Sequence, residues 1–451
     1  MSLRSLLKKG LRRLRDLRTR ASLRRLAGQG ALVLAPTWRF PNPTHTFVHE
    51  DMLGLAALAS RLGAATVVLC GEVASAEALS KRYRPLVRRA RIVETVRAGN
   101  RRDLAGLDHE LPGRVDAFLQ RVAAATGRRL AELREDELVL RAATFTRLCQ
   151  LAKVRYLHSW FCYDQSFQAM FAAQVLGVPR GLACFTDHVL ADHPLKLVPL
   201  QLATADLVLA TSARTRHELL QLGGDGLDEK LLVKPIGVDG EPLRAVRAAR
   251  AAGPFTLVSI CRIEPKKGLG MLVEAVARLR ALGHDVRARL HGGIDEGHAE
   301  SRAEAARLRA QIAGLGLGEA CLLAGALANA AVPAALAAAH TFVAPYVELA
   351  SGDKDGVPTA LLEAMAAGRA IVASRAGAIP EAITDGVDGL LLPPSDVAAL
   401  VQAVLRLLGE PALGPRLGAA AAARFDASFD VRVTERACHE RVEALLSRST
   451  R

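Results

Sequence analysis

The sequence predicts an α/β protein built from two Rossmann-like domains. Short apolar runs typical of buried strands alternate with helical stretches rich in Ala, Leu and Arg, which indicates repeated βα units and parallel sheets. A length of 451 residues suggests two or three domains, and a hydrophobic fraction of 50% is sufficient for their cores. The strand-like runs are ALVLAP, ATVVLC, LVLAT, FTLVSI, RARLHG, TFVAP and AIVAS.

The cysteines and the hydropathy pattern predict a cytoplasmic protein. The cysteines are odd in number and widely spread, without CxxC or His/Cys metal-ligand spacing, as expected in a reducing compartment. No apolar run reaches about 18 residues, and the N-terminus lacks the apolar core of a signal peptide. We therefore expect a chain that is neither secreted nor membrane-spanning. The seven cysteines are Cys70, Cys149, Cys162, Cys184, Cys261, Cys321 and Cys438.

Residues 1–28 form a basic amphipathic segment. The formal net charge of the chain is +14, and the first thirty residues hold ten Lys or Arg against the single acid Asp16. This composition predicts a helix lying on an anionic bilayer, so that the protein is peripheral on the inner face of the cell membrane. A solvated basic tail is the alternative. Nucleic acid is not an expected partner, because only 4% of the residues are aromatic. Leucines recur at helical spacing at Leu3, Leu6, Leu7, Leu11, Leu14 and Leu17.

Residues 29–238 are predicted to form the first Rossmann-like domain. A strand over 31–35 leads into a loop and then a helix expected to begin near Phe47, which the hydroxyls of Thr44 and Thr46 can cap. The stretch from Pro85 to Cys149 is helical by pattern and carries no chemical motif. We interpret it as scaffold.

Two histidines mark a candidate ligand edge of this domain. One strand is expected to end at His158 and another near Cys184, so that His158 and His188 fall at or just beyond carboxyl strand ends. Open α/β sheets bind ligands at that edge. A lone histidine is more often a structural residue, so this pattern is weak alone.

The second domain is predicted over residues 239–426, followed by a helix over 427–451 that crosses back to the first domain. After its first strand, Arg262 and Lys267 lie five residues apart around a turn and can converge on one diphosphate. A later strand is followed by Gly292 and Gly293, which permit close backbone approach to a nucleotide. The absence of G-x-G-x-x-G from this segment weighs against a dinucleotide-dependent dehydrogenase.

The segment 350–381 combines a Gly/Asp-rich loop, a short helix and a strand. Asp355 and Glu363 are eight residues apart, about two helical turns, so both carboxylates can face one ligand. Pro358 suits the first helical position, and free backbone N–H groups there would point towards an anion. The residues expected to contact this ligand at the turn are Gly356, Val357, Pro358 and Thr359.

These motifs resemble those of retaining, GT-B-fold glycosyltransferases of family 4, in particular the colanic acid and exopolysaccharide branch. Asp355 and Glu363 match the acid-x7-acid donor motif, and Arg262 and Lys267 match the R-x4-K pair. The flanking LEAMAAG, IVAS and AGAIPEAITDGVDGLLLPPSD extend the match over more than forty residues. TWRFPNPTHTF resembles the N-terminal FPxxSxTF signature of that branch. Asp355 stands where the family usually has Glu, and Trp160 stands where it usually has His.

The resemblance implies two Rossmann-like domains facing across a cleft that binds a UDP- or GDP-linked sugar, with no cofactor and no metal. Glu363 would bind the ribose, and Asp355 the hydroxyls of the transferred sugar. The implied catalytic residues are Arg262, Lys267, Asp355 and, on the acceptor side, His188. The implied acceptor-binding residues are Thr44, His45, Thr46, His158 and Asp192.

The predicted function is transfer of a hexose-type sugar, with retention of configuration, to a lipid-linked glycan acceptor in bacterial surface polysaccharide biosynthesis. A nucleotide-sugar epimerase on the same fold is one alternative, because it would use the same donor site without an acceptor. A non-catalytic sugar-binding or membrane-scaffold protein is another, and the Asp355 substitution favours it slightly. A phosphorylase would need a cofactor-binding lysine, for which the sequence shows no motif.

Overall fold

A computed structural model of the chain describes residues 3–42, 45–75, 81–93, 97–185, 195–249 and 251–448, with side chains from residue 11 onward. The chain divides into two compact units. The first comprises residues 1–234 and 435–451, and the second comprises residues 235–434.

The first unit is organised around a seven-stranded, fully parallel sheet in the order β5-β3-β1-β6-β7-β8-β9. A separate two-stranded parallel sheet pairs β2 with β4. The strands are β1 (Ala31–Ala35), β2 (Arg39–Phe40), β3 (Ala65–Cys70), β4 (Glu72–Val73), β5 (Ala90–Ile92), β6 (Val154–Trp160), β7 (Arg180–Cys184), β8 (Leu207–Ala210) and β9 (Leu231–Val233).

Helices of this unit precede its first strand or connect its parallel strands, as crossover connections require. They are α1 (Leu3–Leu26), α2 (Thr46–Arg61), α3 (Arg84–Arg89), α4 (Arg97–Glu110), α5 (Arg114–Thr126), α6 (Leu130–Arg134), α7 (Glu137–Leu151), α8 (Asp164–Leu176), α9 (Val198–Thr204), α10 (Ala213–Gly223) and α11 (Leu227–Lys230).

The second unit contains a six-stranded parallel sheet in the order β12-β11-β10-β13-β14-β15. Its strands are β10 (Phe255–Ile260), β11 (Val286–His291), β12 (Cys321–Gly325), β13 (Thr341–Ala344), β14 (Ala370–Ser374) and β15 (Leu390–Leu392). Its helices are α12 (Glu241–Arg244), α13 (Leu269–Ala281), α14 (Ala299–Gly314), α15 (Val332–Ala337), α16 (Thr359–Ala366), α17 (Ile379–Ala382), α18 (Val397–Gly409) and α19 (Leu413–Ser428). The last helix, α20 (Val431–Arg448), returns the chain to the first unit from Glu435 onward.

Local sequence explains where these elements form. Every residue of β1 and of β14 is buried, because helices flank a parallel sheet and its strands read as continuous apolar runs. Asp396 caps α18 by accepting a hydrogen bond from the backbone N–H of Ala399 at 2.8 Å, and Ser212 caps α10 in the same way. The core of the second unit forms where α13 and α18 pack against its sheet.

Each sheet has one point where the strand order reverses direction. In the first sheet it lies between β1 and β6, and in the second between β10 and β13. The loops that follow these two pairs of strands diverge, which leaves a crevice at the carboxyl edge of the sheet. Both edges are therefore candidate locations for functional residues.

Three sequence predictions differ locally from the structure. Strand β6 continues two residues past His158 and ends at Trp160, because HSW stays paired with β7. Helix α2 begins at Thr46, and its N-cap residue His45 makes no side-chain capping bond. Pro358 occupies the N-cap position with an extended ψ of 130°, and α16 begins one residue later, at Thr359.

Within the described part of the chain, length and hydropathy mark no individual helix as a membrane span. The bent pair α18 and α19, at 106° to one another, passes the same criteria jointly.

Candidate functional site

The reversal point of the second sheet brings together the predicted donor-site residues. Arg262 and Lys267 lie in the turn after β10, and Asp355 lies in the loop between β13 and α16. Because β10 and β13 are adjacent and parallel, both segments leave the same edge of the sheet. The topology therefore assembles a cation pair and a carboxylate that are distant in sequence.

Glycines hold the turn after β10 against the segment that follows β13. The turn is a 3-10 helix, Pro265–Lys267, that ends at Gly268 with a φ of +59°. A side chain at Gly268 would also collide with the backbone carbonyl oxygen of Pro345. Both the left-handed conformation and this close approach require glycine. Lys267 is thereby fixed next to the loop that carries Asp355.

Lys267 is buried, with a side chain 8% exposed, and it is paired in two ways. Its ammonium donates a hydrogen bond to Asp355 and lies 4.5 Å from the centre of the Tyr346 ring. A buried cation needs such partners, because desolvating an unpaired charge is costly. The ammonium has three donors, so it can bind an anionic ligand while it keeps Asp355.

The neighbouring charges form a network that the sequence analysis missed. Lys266 donates to Asp353 at 2.9 Å and lies 3.9 Å from the second oxygen of Asp355. Arg262, with a side chain 50% exposed, makes its ion pair with Glu264. The structure does not bring Arg262 into contact with Lys267, so their convergence on one diphosphate requires the ligand. Two features of the sequence could have indicated this charge network: the adjacent lysines at 266–267 and the DKD triplet at 353–355.

The loop carrying Asp355 is also fixed from the side of β14. Gly377, in the turn after β14, has a φ of +56°, and a side chain there would collide with the backbone carbonyl oxygen of Asp355. Its N–H donates to the Glu348 carboxylate at 2.9 Å. Asp355 is therefore held by packing on both flanks.

The start of α16 offers unpaired backbone donors. No described residue accepts a hydrogen bond from the N–H of Val357, Thr359 or Ala360, while Leu361 and Leu362 donate to the carbonyl oxygen of Pro358. Gly356 lies in the same turn, directly after Asp355. Such free N–H groups at the positive end of a helix favour an anion.

Glu363 lies on α16, one turn beyond these donors, and it is partly buried. Burial raises the pKa of its carboxyl group to about 7. No residue in the described ranges forms a hydrogen bond or ion pair with this carboxyl group. A partly buried carboxyl group without a protein partner carries a desolvation cost that ligand hydroxyls could offset.

The two glycines after β11 differ in role. A side chain at Gly292 would collide with the backbone carbonyl oxygen of Cys261, so the protein itself requires this glycine. Gly293 has space around its Cα, because a Cβ added there would lie 3.8 Å from the Ala326 side chain. Of the two, only Gly293 leaves room for a ligand.

On the acceptor side, the structure describes only some of the predicted residues. Thr44, His188 and Asp192 lie outside the described residues. His45 precedes α2, with its ring 5.2 Å from that of Phe161, and Thr46 is the first residue of α2. These two residues stand close to the carboxyl edge of the first sheet.

His158 lies inside the sheet and not at its edge. It is fully buried, its Nδ1 is 2.9 Å from the hydroxyl of Tyr156, and burial lowers its pKa to about 3. The strand continues beyond it, so His158 cannot reach a ligand at that edge without a rearrangement of β6.

A metal site would need several acidic, histidine or cysteine side chains close together. No group of three or more His, Cys, Asp or Glu side chains in the described ranges is arranged to hold a metal ion. Metal independence stays a prediction.

Comparison with protein families agrees with the motifs. Residues 254–410 match the family model of glycosyl transferases group 1. An amylovoran biosynthesis glycosyltransferase of Erwinia amylovora is 32% identical over 259 residues, which cover 57% of this chain and 61% of that protein. A provisionally assigned colanic acid biosynthesis glycosyltransferase of Escherichia coli (strain K12) is 33% identical over 198 residues, covering 44% of this chain and 46% of that protein. The matches thus span less than two thirds of these relatives.

Solved structures support the fold over nearly the whole chain. An Anabaena protein, HepE, in complex with UDP-glucose aligns with a TM-score of 0.67 at 18% identity, covering 92% of this chain and 100% of that one. Sucrose-phosphate synthase from Thermosynechococcus elongatus aligns with a TM-score of 0.62 at 18% identity, covering 93% and 99%. The predicted fold class, two Rossmann-like α/β sheets of the GT-B type, is confirmed.

Proposed function

We propose that the chain is a family 4 glycosyltransferase that transfers a hexose-type sugar from a nucleotide sugar to a glycan acceptor with retention of configuration. The match of residues 254–410 to the model of glycosyl transferases group 1 supports this proposal. The observation that carries the proposal is the hydrogen bond between Lys267 and Asp355 at the β10/β13 reversal point. Beside it, at the start of α16, lie N–H groups and the carboxyl group of Glu363, none of which has a partner among the described residues. The lysine and the N–H groups fit a diphosphate, Asp355 fits the hydroxyls of a sugar, and Glu363 fits a ribose.

Departure of a nucleoside diphosphate places negative charge on the leaving oxygen, and the site must stabilise that charge. Arg262, Lys267 and the N–H groups at the start of α16 supply positive charge and donors without a metal ion. In the proposed reaction, the bond from the anomeric carbon to the leaving phosphate oxygen breaks. The acceptor hydroxyl attacks the same face of the sugar, and its proton passes to the leaving phosphate. His188 is proposed to orient the acceptor hydroxyl.

The two acids have separate proposed roles. Glu363 accepts hydrogen bonds from the ribose hydroxyls, and two observations support this role: the residue is partly buried, and no described residue pairs with its carboxyl group. Asp355 orients the hydroxyls of the transferred sugar with the oxygen atoms that Lys267 leaves available. Because Asp is shorter than the Glu usual in the family, the sugar must lie closer to the backbone of this loop.

The donor base is proposed to be uracil or guanine. The Anabaena structure contains UDP-glucose, whereas a Mycolicibacterium smegmatis relative, 29% identical over 225 residues, is a GDP-mannose-dependent mannosyltransferase. A comparison of UDP and GDP binding is therefore the first experiment on specificity.

Bacterial surface polysaccharide assembly on a lipid-linked acceptor is the proposed role. Its support comes from the two relatives named for amylovoran and colanic acid biosynthesis and from the TWRFPNPTHTF segment. An acceptor on a lipid carrier would be met at the membrane surface.

Helix α1 supports attachment to that surface. Its C-terminal part is fixed to the first unit by buried Leu23 and by Arg20, which forms a two-bond pair with Asp103 at 2.7 and 3.2 Å. Its middle part instead exposes leucines among arginines, with Leu11, Leu14 and Leu17 exposed by 63%, 52% and 60%. We propose that this exposed part lies on an anionic bilayer.

The proposal is tested by incubating the protein with UDP- and GDP-sugars and a lipid-linked acceptor, with and without EDTA, and determining the anomeric configuration of the product by NMR. We expect a new glycosidic bond of the donor's own configuration, formed equally with EDTA. Conversion of the donor sugar without any acceptor would instead favour the epimerase. Nucleotide-sugar binding with no turnover would favour a non-catalytic protein.

A further inference from the structure

A cavity of about 290 Å³ lies in the first unit beside the beginning of β3. The pairing of β5 with β3 runs from Val68 to Cys70, so no described strand flanks the first half of β3 on that side. The cavity lies against this open half, and its walls come from the ends of α1, α2 and α3. Because the strands are parallel, the beginning of β3 belongs to the amino edge of the sheet, opposite to the crevice between β1 and β6.

The polar side chains of this cavity can all donate hydrogen bonds. Three of them belong to the arginines Arg88, Arg89 and Arg91, and the other two are the hydroxyls of Ser60 and Thr66. None of the described lining residues is acidic. Since guanidinium groups are permanently charged and have no acceptor, a cavity of this composition favours an anion as its ligand.

Arg88 and Arg89 have no acid beside them to balance their charge. Across the described ranges, neither guanidinium group forms an ion pair or a hydrogen bond. Arg82, just before α3, shows the more usual arrangement in this chain, because it donates to both oxygens of the Glu50 carboxylate at 3.1 and 2.9 Å. Two neighbouring cations without a counter-charge repel each other, and an anion bound between them would relieve that repulsion.

Arg91 is held in place by α1 and by its own chain neighbours. Its Nε donates to the hydroxyl of Ser22 at 3.0 Å, and one terminal nitrogen donates to the carbonyl oxygens of Arg88 and Ala90 at 3.0 and 2.9 Å. The other terminal nitrogen has no partner in the part of the chain that the structure describes. Because these bonds fix the guanidinium group before a ligand binds, less entropy is lost on binding.

The donors and the size of the cavity together indicate a phosphate ester. A phosphate group offers several acceptor oxygens, which guanidinium groups can bind through two parallel hydrogen bonds. The cavity is close to the lower end of the roughly 300–1,000 Å³ of small-ligand pockets, so it has room for more than the phosphate itself. Apolar side chains also line it, among them Leu26, Ala56 and Val67. They would contact the carbon portion of an ester.

We propose that this cavity binds the phosphate group of a phosphate ester through Arg88, Arg89 and Arg91. The ester is either a soluble metabolite or a lipid headgroup. A headgroup is within reach of α1, because Leu26 lies nine residues, about 14 Å along the helix, from the exposed Leu17. The inference does not rest on the proposed glycosyltransferase function, since the donor site belongs to the second unit and the cavity to the first.

Calorimetric titration of the full-length protein with glycerol 1-phosphate tests the proposal. We expect saturable binding at one site, and no binding of glycerol at the same concentrations. Arg88→Gln combined with Arg89→Gln should weaken the binding by about 10-fold or more, the scale of one lost charge-assisted hydrogen bond. Arg102→Gln combined with Arg436→Gln removes the same charge from exposed helix positions of the first unit and should leave the affinity unchanged.

A variant that fills the cavity separates binding inside it from general attraction between charges. Ser60 lines the cavity and is exposed, so Ser60→Phe adds a ring there while every arginine remains. It should weaken the binding by about 10-fold or more, whereas Ser60→Ala should retain most of it, with thermal unfolding as the check on folding. No saturable binding by the wild type, an unchanged affinity of Ser60→Phe or of the Arg88/Arg89 variant, or an equal loss in the Arg102/Arg436 variant would overturn the proposal.

Two comparisons separate the cavity from the donor site and identify the source of the phosphate. Lys267→Ala should bind glycerol 1-phosphate as the wild type does, whereas loss of binding in that variant, or displacement by UDP, would assign the anion to the donor site and overturn the proposal. Flotation with phosphatidylcholine vesicles that contain phosphatidate then distinguishes the sources. Weaker flotation of Ser60→Phe than of Ser60→Ala would support a lipid headgroup, and equal flotation with the expected calorimetric losses would support a soluble phosphate ester.

Discussion

The ammonium of Lys267 is hydrogen-bonded to the carboxylate of Asp355, 88 residues later in the chain. The two residues belong to loops after β10 and β13, the adjacent strands at which the order of the second sheet reverses. A cation and an acid of the proposed donor site therefore depend on each other for position, so their substitutions should not have independent effects.

A double-mutant cycle tests this dependence. Lys267→Ala should lower kcat/KM by about 100-fold or more, the scale expected for loss of one preorganised donor to the leaving group. Asp355→Asn should also impair turnover. Because the residues are in contact, the double variant should be less impaired than the product of the two single effects. Fully multiplicative losses would show that the contact has no bearing on catalysis.

Arg262 can be tested separately, since its described contact is with Glu264 and not with Lys267. Arg262→Ala should lower kcat/KM by roughly 100-fold or more if its guanidinium binds the departing diphosphate. Arg278→Ala is the matched control, because Arg278 is an exposed residue of α13 paired with Glu274. Near-normal turnover of Arg262→Ala in a steady-state assay would remove Arg262 from the mechanism.

Nucleotide binding should depend on pH through Glu363, whose pKa burial raises to about 7. If only the carboxylate accepts from the ribose, affinity should fall by about 10-fold between pH 8 and pH 6 as the group gains its proton. In calorimetric titrations, Glu363→Gln should not show this fall in affinity between pH 8 and pH 6. Any pH dependence that remains in the variant comes from protonation of the nucleotide or of other groups. The exposed Glu319→Gln variant should behave as the wild type does. Identical pH profiles for wild type and Glu363→Gln would refute the assignment.

The same pKa predicts the sign of a stability effect. The folded protein keeps the Glu363 proton up to about pH 7, whereas the unfolded chain releases it near the ordinary value. Stability is therefore lost as pH rises between these two values, and the loss is complete above the folded pKa. Glu363→Gln should raise the melting temperature more at pH 8 than at pH 5. A larger gain at pH 5 would contradict the burial of the carboxyl group.

The first unit contains a buried ion cluster whose members should depend on one another for stability. Lys234 Nζ is 2.6 Å from Asp51 and 2.7 Å from Glu435, and Trp160 Nε1 donates to Asp51 at 3.0 Å. Removal of one member leaves an uncompensated buried charge, so Lys234→Met should lower the free energy of unfolding by about 3–5 kcal/mol. Glu435→Gln should cost less, because burial raises the pKa of that carboxyl group to about 8.

Urea unfolding followed by tryptophan fluorescence measures both effects. Lys230→Met is the control, since Lys230 is partly exposed and, among the described residues, donates just one hydrogen bond, to the Ala203 carbonyl oxygen at 2.8 Å. Equal losses for Lys230→Met and Lys234→Met would mean that the cluster does not contribute specifically.

Membrane attachment should depend on the exposed leucines of α1. Replacing Leu11, Leu14 and Leu17 together with serine should reduce flotation with anionic vesicles while the arginines and the fold remain. Deletion of residues 1–28 should reduce it at least as much, and neutral vesicles should bind the wild type weakly. Equal flotation of wild type and both variants would favour the solvated-tail interpretation.

Features that depend on the spacing of residues along the chain could be predicted from the sequence. The strand-and-helix alternation predicted two parallel sheets, and the eight-residue spacing of Asp355 and Glu363 placed both acids on one loop and helix. The Lys267–Asp355 bond was not predictable in the same way, because it depends on β10 and β13 being neighbours in the sheet.

Burial and close packing explain where the structure differs from the sequence predictions. His158 was expected at a strand end, but pairing with β7 extends β6 to Trp160 and encloses the imidazole. Gly292 was expected to admit a nucleotide, but the carbonyl oxygen of Cys261 already requires a glycine there.

The donor site at the β10/β13 edge is tested most directly by calorimetric binding of UDP and GDP to the wild-type protein, Lys267→Ala and Glu363→Ala, each in the presence of EDTA. We expect that one of the two nucleotides binds the wild type without metal and that both variants lose about 10-fold or more in affinity. Binding that requires a divalent ion, or that is unchanged in both variants, would contradict a donor site at the β10/β13 edge.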